Sequence, residues 1–244
     1  MESLNIKPYK KSSNYSYIFG AYSVLRLIKE KPEIIRGILI HSKYDDIHSL
    51  THLCQSINIP YIVSDKAVNR VSNKDNRSII GVFNKYATGI DAGHPHIVLI
   101  HPKDLGNLGT IIRTADGFNI KNVAIISPAA DIFNPKVLQA SMGSLFSINF
   151  QYFDSFLDYQ TNFPFHELYP FMLKDALPLE ECVRDSPFLF SLIFGNESSG
   201  LPDDFSHIGK PTKIPQSMTL DSLNLSVAVG VSAYNFAFRH DLIE

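Results

Sequence analysis

Three polar clusters, two of which contain glycine, hold the residues best placed to do chemistry: Gly106-Asn107-Leu108-Gly109 with Arg113 following, Gly195-Asn196-Glu197-Ser198-Ser199-Gly200, and Ile214-Pro215 followed by Ser222-Leu223-Asn224. Each comes after an apolar run that reads as a buried strand. Ligands of open α/β sheets bind at the carboxyl ends of strands, so three such loops predict one shared pocket. The familiar phosphate-binding signatures are absent: Gly106-x-x-Gly109 lacks the middle glycine of Gly-x-Gly-x-x-Gly, and no Gly-x-x-x-x-Gly-Lys-Ser/Thr occurs. A serine hydrolase is disfavoured, because Ser198 sits one residue too late for Gly-x-Ser-x-Gly. His94, His96 and His101 are the clustered histidines, and without the further ligands of a zinc site they predict no metal.

Three loops presented on one side require a parallel sheet, and the alternation of apolar runs supplies one. Strands are predicted near 97–100, 123–126, 148–153 and 188–194, with a further apolar run at 168–173. Helices are predicted at 108–118, at 135–142, from Asp154 onward, and at 223–242. The last has an apolar face of Leu223, Val227, Val231, Tyr234 and Phe238 and a cap at Ser222 or Asp221. Upstream, Ile18, Ala21, Leu25 and Ile28 have the spacing of an opening helix over 12–29. Strands at 34–40, 61–63 and 78–83 and a helix capped by Asp46 follow. Periodicity stops between Lys85 and Pro95, which predicts a small α/β domain over 1–90 and a second α/β domain, built on the parallel sheet, over 91–244.

With 244 residues, 45% hydrophobic and 19% charged, the chain is long enough for a full core, and its composition excludes collagen, disorder and a disulfide scaffold. The net charge of −2 gives no overall basic footprint for nucleic acid. A local one is present: Lys7, Lys10, Lys11, Arg70, Lys74 and Arg77 are interleaved with Tyr9, Tyr15 and Tyr17, which would stack on unpaired bases. Cys54 and Cys182 form no Cys-x-x-Cys pair and read as buried thiols of a reducing compartment. The first residues carry no signal-peptide pattern, and no apolar run is long enough to span a membrane, so a cytoplasmic protein is expected.

Taken together and in order, the runs Asn107-Leu-Gly-Thr-Ile-Ile-Arg113-Thr-Ala-Asp116, Phe194-Gly195-Asn196-Glu197-Ser-Ser-Gly200-Leu201, and Ile214-Pro215 with Ser222-Leu223-Asn224-Leu225-Ser226 resemble three motifs of one family. It is that of the SpoU-type (TrmH-like) RNA ribose 2′-O-methyltransferases, in the SPOUT superfamily. The resemblance covers about residues 95 to 242. It implies a parallel sheet with a deep carboxyl-terminal trefoil knot, S-adenosylmethionine bound in the knot, and a homodimer whose active site draws on both subunits. Residues 1–90 are more loosely similar to the family's small RNA substrate-binding domain. The chain departs from the pattern in three places: Asn76-Arg77-Ser78 stands where relatives have His-Gln-Gly, the approach from His101 to Gly106 is longer, and Asn119 replaces a glycine.

Carried over by motif, the resemblance implies catalytic roles for Arg113, Asn107, Glu197, Ser222 and Asn224. It implies cofactor contacts from Leu192, Gly195, Asn196, Gly200, Ile214, Met218, Leu223 and Ser226. Arg113 is implied either as a base assisted by substrate phosphate or as a phosphate clamp, and Asn107 would orient Arg113 or the ribose from the same helix terminus. Glu197 would anchor the loops and hold an arginine, while Ser141 and Gly143 match a segment that shapes the pocket. The implied activity is 2′-O-methylation of structured RNA, ribosomal RNA ahead of transfer RNA, in housekeeping or in antibiotic resistance. The rival is a catalytically silent dimeric RNA-binding protein of the same fold.

Overall fold

The computed structural model describes residues 7–72, 78–217, 219 and 221–244; Met218, Lys74 and Arg77 lie outside the described residues. The chain forms two compact units, Met1–Tyr86 with Asp131–Phe146, and Ala87–Ala130 with Ser147–Glu244. Residues 131–146, inside the second domain on the sequence reading, thus group with the first unit. The elements of the amino-terminal stretch are β1 (Tyr15–Phe19), α1 (Ala21–Glu30), β2 (Ile35–Ile40), α2 (Ile47–Ser56), β3 (Tyr61–Val63), α3 (Asp65–Val71) and β4 (Ile79–Asn84). Then come β5 (His96–Ile100), α4 (Leu105–Gly117), β6 (Asn122–Ile126), α5 (Pro135–Ser141), β7 (Asn149–Phe153), α6 (Phe156–Asn162) and β8 (Glu167–Pro170). The chain closes with β9 (Leu177–Pro178), α7 (Leu179–Arg184), β10 (Phe190–Phe194), β11 (Thr212–Lys213) and α8 (Leu225–Arg239).

The first unit holds a sheet in the order β1-β4-β2-β3. Its opening corrects the helix expected over 12–29. Tyr15-Ser-Tyr-Ile-Phe is aromatic and β-branched, favours a strand, and pairs antiparallel with β4. Gly20, at φ +91°, then turns the chain into α1 in a conformation that glycine adopts without strain. Helix α3, unforeseen, is capped by Ser64, whose hydroxyl accepts from Ala67 N. The tyrosines expected to stack on bases are spent on packing. Tyr17 is buried and donates to the Lys7 carbonyl, Tyr9 donates to the Asp131 carboxylate, and Arg36 lies 4.9 Å over the Tyr15 ring. Ser141 and Gly143 also differ from expectation, since a Cβ on Gly143 would stand 3.2–3.3 Å from Arg26 and the Ser23 backbone, inside this unit.

The second unit is built on a five-stranded sheet, β7-β6-β5-β10-β8, parallel throughout. Every residue of β5, β6 and β10 is buried, as expected for strands covered on both faces. From β5 the chain steps outward to β6 and β7, then returns on the other side to β8 and β10. The strand order therefore reverses between β5 and β10, and such a switch opens a crevice at the carboxyl ends.

Helix α8 departs from expectation in register and orientation. It starts at Leu225 with Asn224 as its cap, in place of Ser222 or Asp221, and ends at Arg239. Its buried stripe is Val229, Ser232, Ala233, Phe236 and Ala237, whereas Val227, Tyr234 and Phe238 of the predicted face are 50%, 49% and 63% exposed. At the amino-terminal end of the sheet, His96 Nδ1 accepts from the Tyr159 hydroxyl (2.8 Å) and its Nε2 donates to the Asp91 carbonyl (2.9 Å). Ser191 Oγ lies 2.6 Å from the Tyr159 hydroxyl and 2.9 Å from His166 Nδ1, and His166 Nε2 donates to the Ala92 carbonyl (3.0 Å).

Candidate functional site

A cavity of about 460 Å³ opens beyond the carboxyl ends of β8 and β10, and no residue of the loop after β5 lines it; its size is within the range of about 300–1,000 Å³ usual for ligand pockets. Its walls come from the loop after β8 (Phe171 to Lys174), the loop after β10 (Gly195 to Leu201), and Ile214, Gln216, Asp221 to Leu223 and Leu225. Phe171 and Phe194 stack at 4.5 Å with rings 10° apart and give it a flat apolar wall.

The loop after β10 is closed on itself, Gly200 N donating to the Asn196 carbonyl at 2.9 Å and Asn196 N to the Gly200 carbonyl at 3.2 Å. Only glycine fits at its base, because a Cβ on Gly195 would stand 2.1 Å from the Gly200 carbonyl carbon. Where the turn closes, Gly200 adopts φ +66°.

Glu197 is half-buried and turns its carboxylate toward the backbone that leads into α4. It accepts from Lys103 N (3.2 Å) and Asp104 N (3.0 Å), while Asn196 Nδ2 donates to the His101 carbonyl (2.8 Å). The loops after β5 and β10 are thereby tied together. Asn107 and Asn224 meet directly, with Asn224 Nδ2 donating to Asn107 Oδ1 at 3.1 Å. The Asn224 Oδ1 accepts from Ser226 N (2.9 Å), Val227 N (3.4 Å) and the Ser226 hydroxyl (2.7 Å), which caps α8.

Arg113 stands elsewhere. It lies two turns into α4 and not beside Asn107 at the helix terminus, because six residues advance a helix by about 9 Å and more than one and a half turns. It is exposed and has no hydrogen-bond or ion-pair partner among the described residues, and it does not line the cavity. Among the described residues, Glu197 accepts from the Lys103 and Asp104 amides and from Asn196 Nδ2, and Arg113 is not one of its partners.

Of the residues implied for the cofactor, Gly195, Asn196, Gly200, Ile214 and Leu223 line the cavity, together with Glu197 and Ser222. Leu192 is buried within β10, Ser226 is engaged with Asn224, and neither lines it. Sequence reasoning missed Phe171, Met172, Leu173, Lys174 and Asp221. The first four follow directly on a parallel strand, a position that marks them once β8 is known to be one. No group of three or more metal-binding side chains occurs among the described residues, and none of their helices is long and apolar enough to cross a membrane.

Residues 94–234 match the SpoU rRNA Methylase family. The chain is 27% identical over 240 residues to the 23S rRNA (guanosine(2553)-2′-O)-methyltransferase RlmP of Bacillus subtilis, spanning 96% of this chain and 93% of that protein. Among solved structures, an AdoMet-bound rRNA methyltransferase from Sinorhizobium meliloti superposes with a TM-score of 0.78 at 24% identity, over 93% of this chain and 88% of that one. The SpoU methyltransferase AviRb from Streptomyces viridochromogenes also gives 0.78, at 19% identity, over 93% of this chain and 90% of its own.

Proposed function

The chain belongs to the SpoU rRNA methylase family, and from that membership we propose that it transfers a methyl group from S-adenosylmethionine to a ribose 2′-hydroxyl of ribosomal RNA. The observation that carries the reading is that the second and third motif loops line one cavity and are both bonded to the first, Asp104 N donating to Glu197 and Asn224 to Asn107. The cavity suits the cofactor chemically. A flat wall of Phe171 and Phe194 faces a planar base, and Lys174, Asp203 and Asp221 bring both signs of charge to an amino-acid end.

When bound, S-adenosylmethionine supplies a methyl group already activated by its sulfonium charge. What remains for the protein is to hold a hydroxyl in line and close, a matter of position. Asn107 and Asn224, fixed by each other and by the helix ends they occupy, are the groups with side chains available to orient a ribose. Arg113 is free to grip a backbone phosphate through its planar fork. Because guanidinium keeps its proton, with a pKa above about 12, a clamp suits it better than a base.

The exposed stripe of Val227, Tyr234 and Phe238 on α8 supports a homodimer, since an apolar helix face of this kind is ordinarily covered. Helix α4, which carries Arg113, packs on α8, so a partner docked there would receive Arg113 beside its own cavity. The trefoil knot and the RNA-binding role of residues 1–90 belong to the same reading. So does a cytoplasmic location, where the buried free thiols of Cys54 and Cys182 would stay reduced.

The test is transfer of a labelled methyl group from S-adenosylmethionine to unmodified ribosomal and transfer RNAs, with Arg113→Ala as the control. Label in ribosomal RNA that disappears with Arg113→Ala is the expected result. No binding of S-adenosylmethionine and no transfer to any RNA would overturn the reading in favour of a silent RNA-binding protein.

A further inference from the structure

We propose that Asp104 is a positioning residue for methyl transfer, the joint through which the Glu197 loop sets the place of Asn107 and, along α4, of Arg113; the proposal rests on the reading of the site given above. The turn from β5 into α4 leaves its amides to be satisfied. His101 sits at φ +51°, Pro102 has no N–H, and the Lys103 and Asp104 amides both donate to the Glu197 carboxylate. The Asp104 side chain then acts in the opposite direction, its Oδ1 accepting from Asn107 N at 2.7 Å as the cap of α4.

A continuous run results. Glu197 holds the Asp104 backbone, the Asp104 carboxylate holds Asn107, Asn107 accepts from Asn224, and Asn224 caps α8. Asp104 is the member that is held on its main chain and holds with its side chain. Gly106 leaves room for it, since a Cβ there would stand 3.2 Å from Asp104 Oδ1. The carboxylate does not line the cavity, so its effect on chemistry passes through Asn107 and the axis of α4. A helix moves as a rod, and a shift of its first turn carries Arg113 with it. Displacements of about 1 Å at groups that position a reaction cost as much as a hundredfold in rate.

The test is a comparison of Asp104→Ala, Asp104→Asn and Asp104→Ser with wild type in the methyl-transfer assay, alongside binding of S-adenosylhomocysteine and hydrogen exchange across 105–109. Asp104→Ala should lower kcat about tenfold or more while leaving KM for S-adenosylmethionine and S-adenosylhomocysteine affinity unchanged, and should speed exchange in the first turn of α4. Asparagine and serine also cap helices, so both variants should return kcat to within about threefold of wild type. Wild-type kcat in Asp104→Ala, or Asp104→Asn as slow as Asp104→Ala, would overturn the proposal, the second because it would make the carboxylate itself chemical. If the wild type transfers no methyl group, the proposed function fails, and unchanged exchange in Asp104→Ala then overturns the joint separately.

Discussion

At the scale of single residues, the site separates groups that fix geometry from one that is left free. Glu197, Asn107 and Asn224 are bound to backbone or to each other, whereas Arg113 has no partner among the described residues. Arg113→Lys keeps the charge and loses the bidentate fork, so transfer should fall by about a hundredfold or more. Cofactor affinity should stay at the wild-type value, because Arg113 does not line the cavity; calorimetry with S-adenosylhomocysteine checks this, and weakened binding would contradict the assignment. Gly195→Ala should do the reverse. Its Cβ would meet the Gly200 carbonyl carbon at 2.1 Å, so the loop must open. We expect cofactor affinity to fall at least about tenfold, with a loss of about 1–3 kcal/mol in stability typical of overpacking. The residue types of these motifs are legible in the sequence, but their partners are not. Glu197 accepts from Lys103 and Asp104, more than 90 positions earlier, and no local spacing announces such a contact.

Among the elements, the legible ones are those with a single meaning for their pattern. A run such as Phe190-Ser-Leu-Ile-Phe194 can satisfy its apolar faces only as a covered strand, and it forms one. Helix α8 carries two apolar stripes at helical spacing, so periodicity reveals a helix but not which stripe faces inward. After β1, Gly20 supplies the break that the spacing of Ile18, Ala21 and Leu25 conceals. The buried histidines between β5, β8 and β10 give the sheet a pH dependence of definite sign. Burial pushes His96 down to about 3 and lowers His166 as well, with the Asp91 side favouring protonation and His94 opposing it at His96. An unfolded histidine takes a proton near 6.5, so the unfolded chain binds more protons between the two values. Stability is therefore fully present above about pH 6.5 and is lost as pH falls toward 3. Between about pH 7.5 and 5, His96 alone should remove about 2 kcal/mol. Urea unfolding at both values checks this, and a wild type equally stable at each would contradict it.

At the scale of the whole molecule, a unit containing the parallel sheet carries the cavity, and the α8 stripe leaves it with an uncovered apolar face. Phe238, 63% exposed, is the residue to challenge. On the proposed homodimer, Phe238→Glu should give a folded monomer in analytical ultracentrifugation and abolish transfer, because Arg113 would then have no partner's cavity to reach. A monomer with wild-type turnover would remove the shared active site. The grouping of residues 131–146 with the first unit was not legible, since α5 continues the βα alternation of the second without a break in period. The central claim, however, concerns where the methyl group lands. A 2′-O-methyl group removes the nucleophile by which alkali cleaves the adjacent phosphodiester, whereas a methylated base leaves that hydroxyl intact. The most direct measurement is therefore alkaline hydrolysis of ribosomal RNA methylated by this protein with labelled S-adenosylmethionine. Label recovered in alkali-resistant dinucleotides is the predicted result, and label recovered in mononucleotides would contradict it.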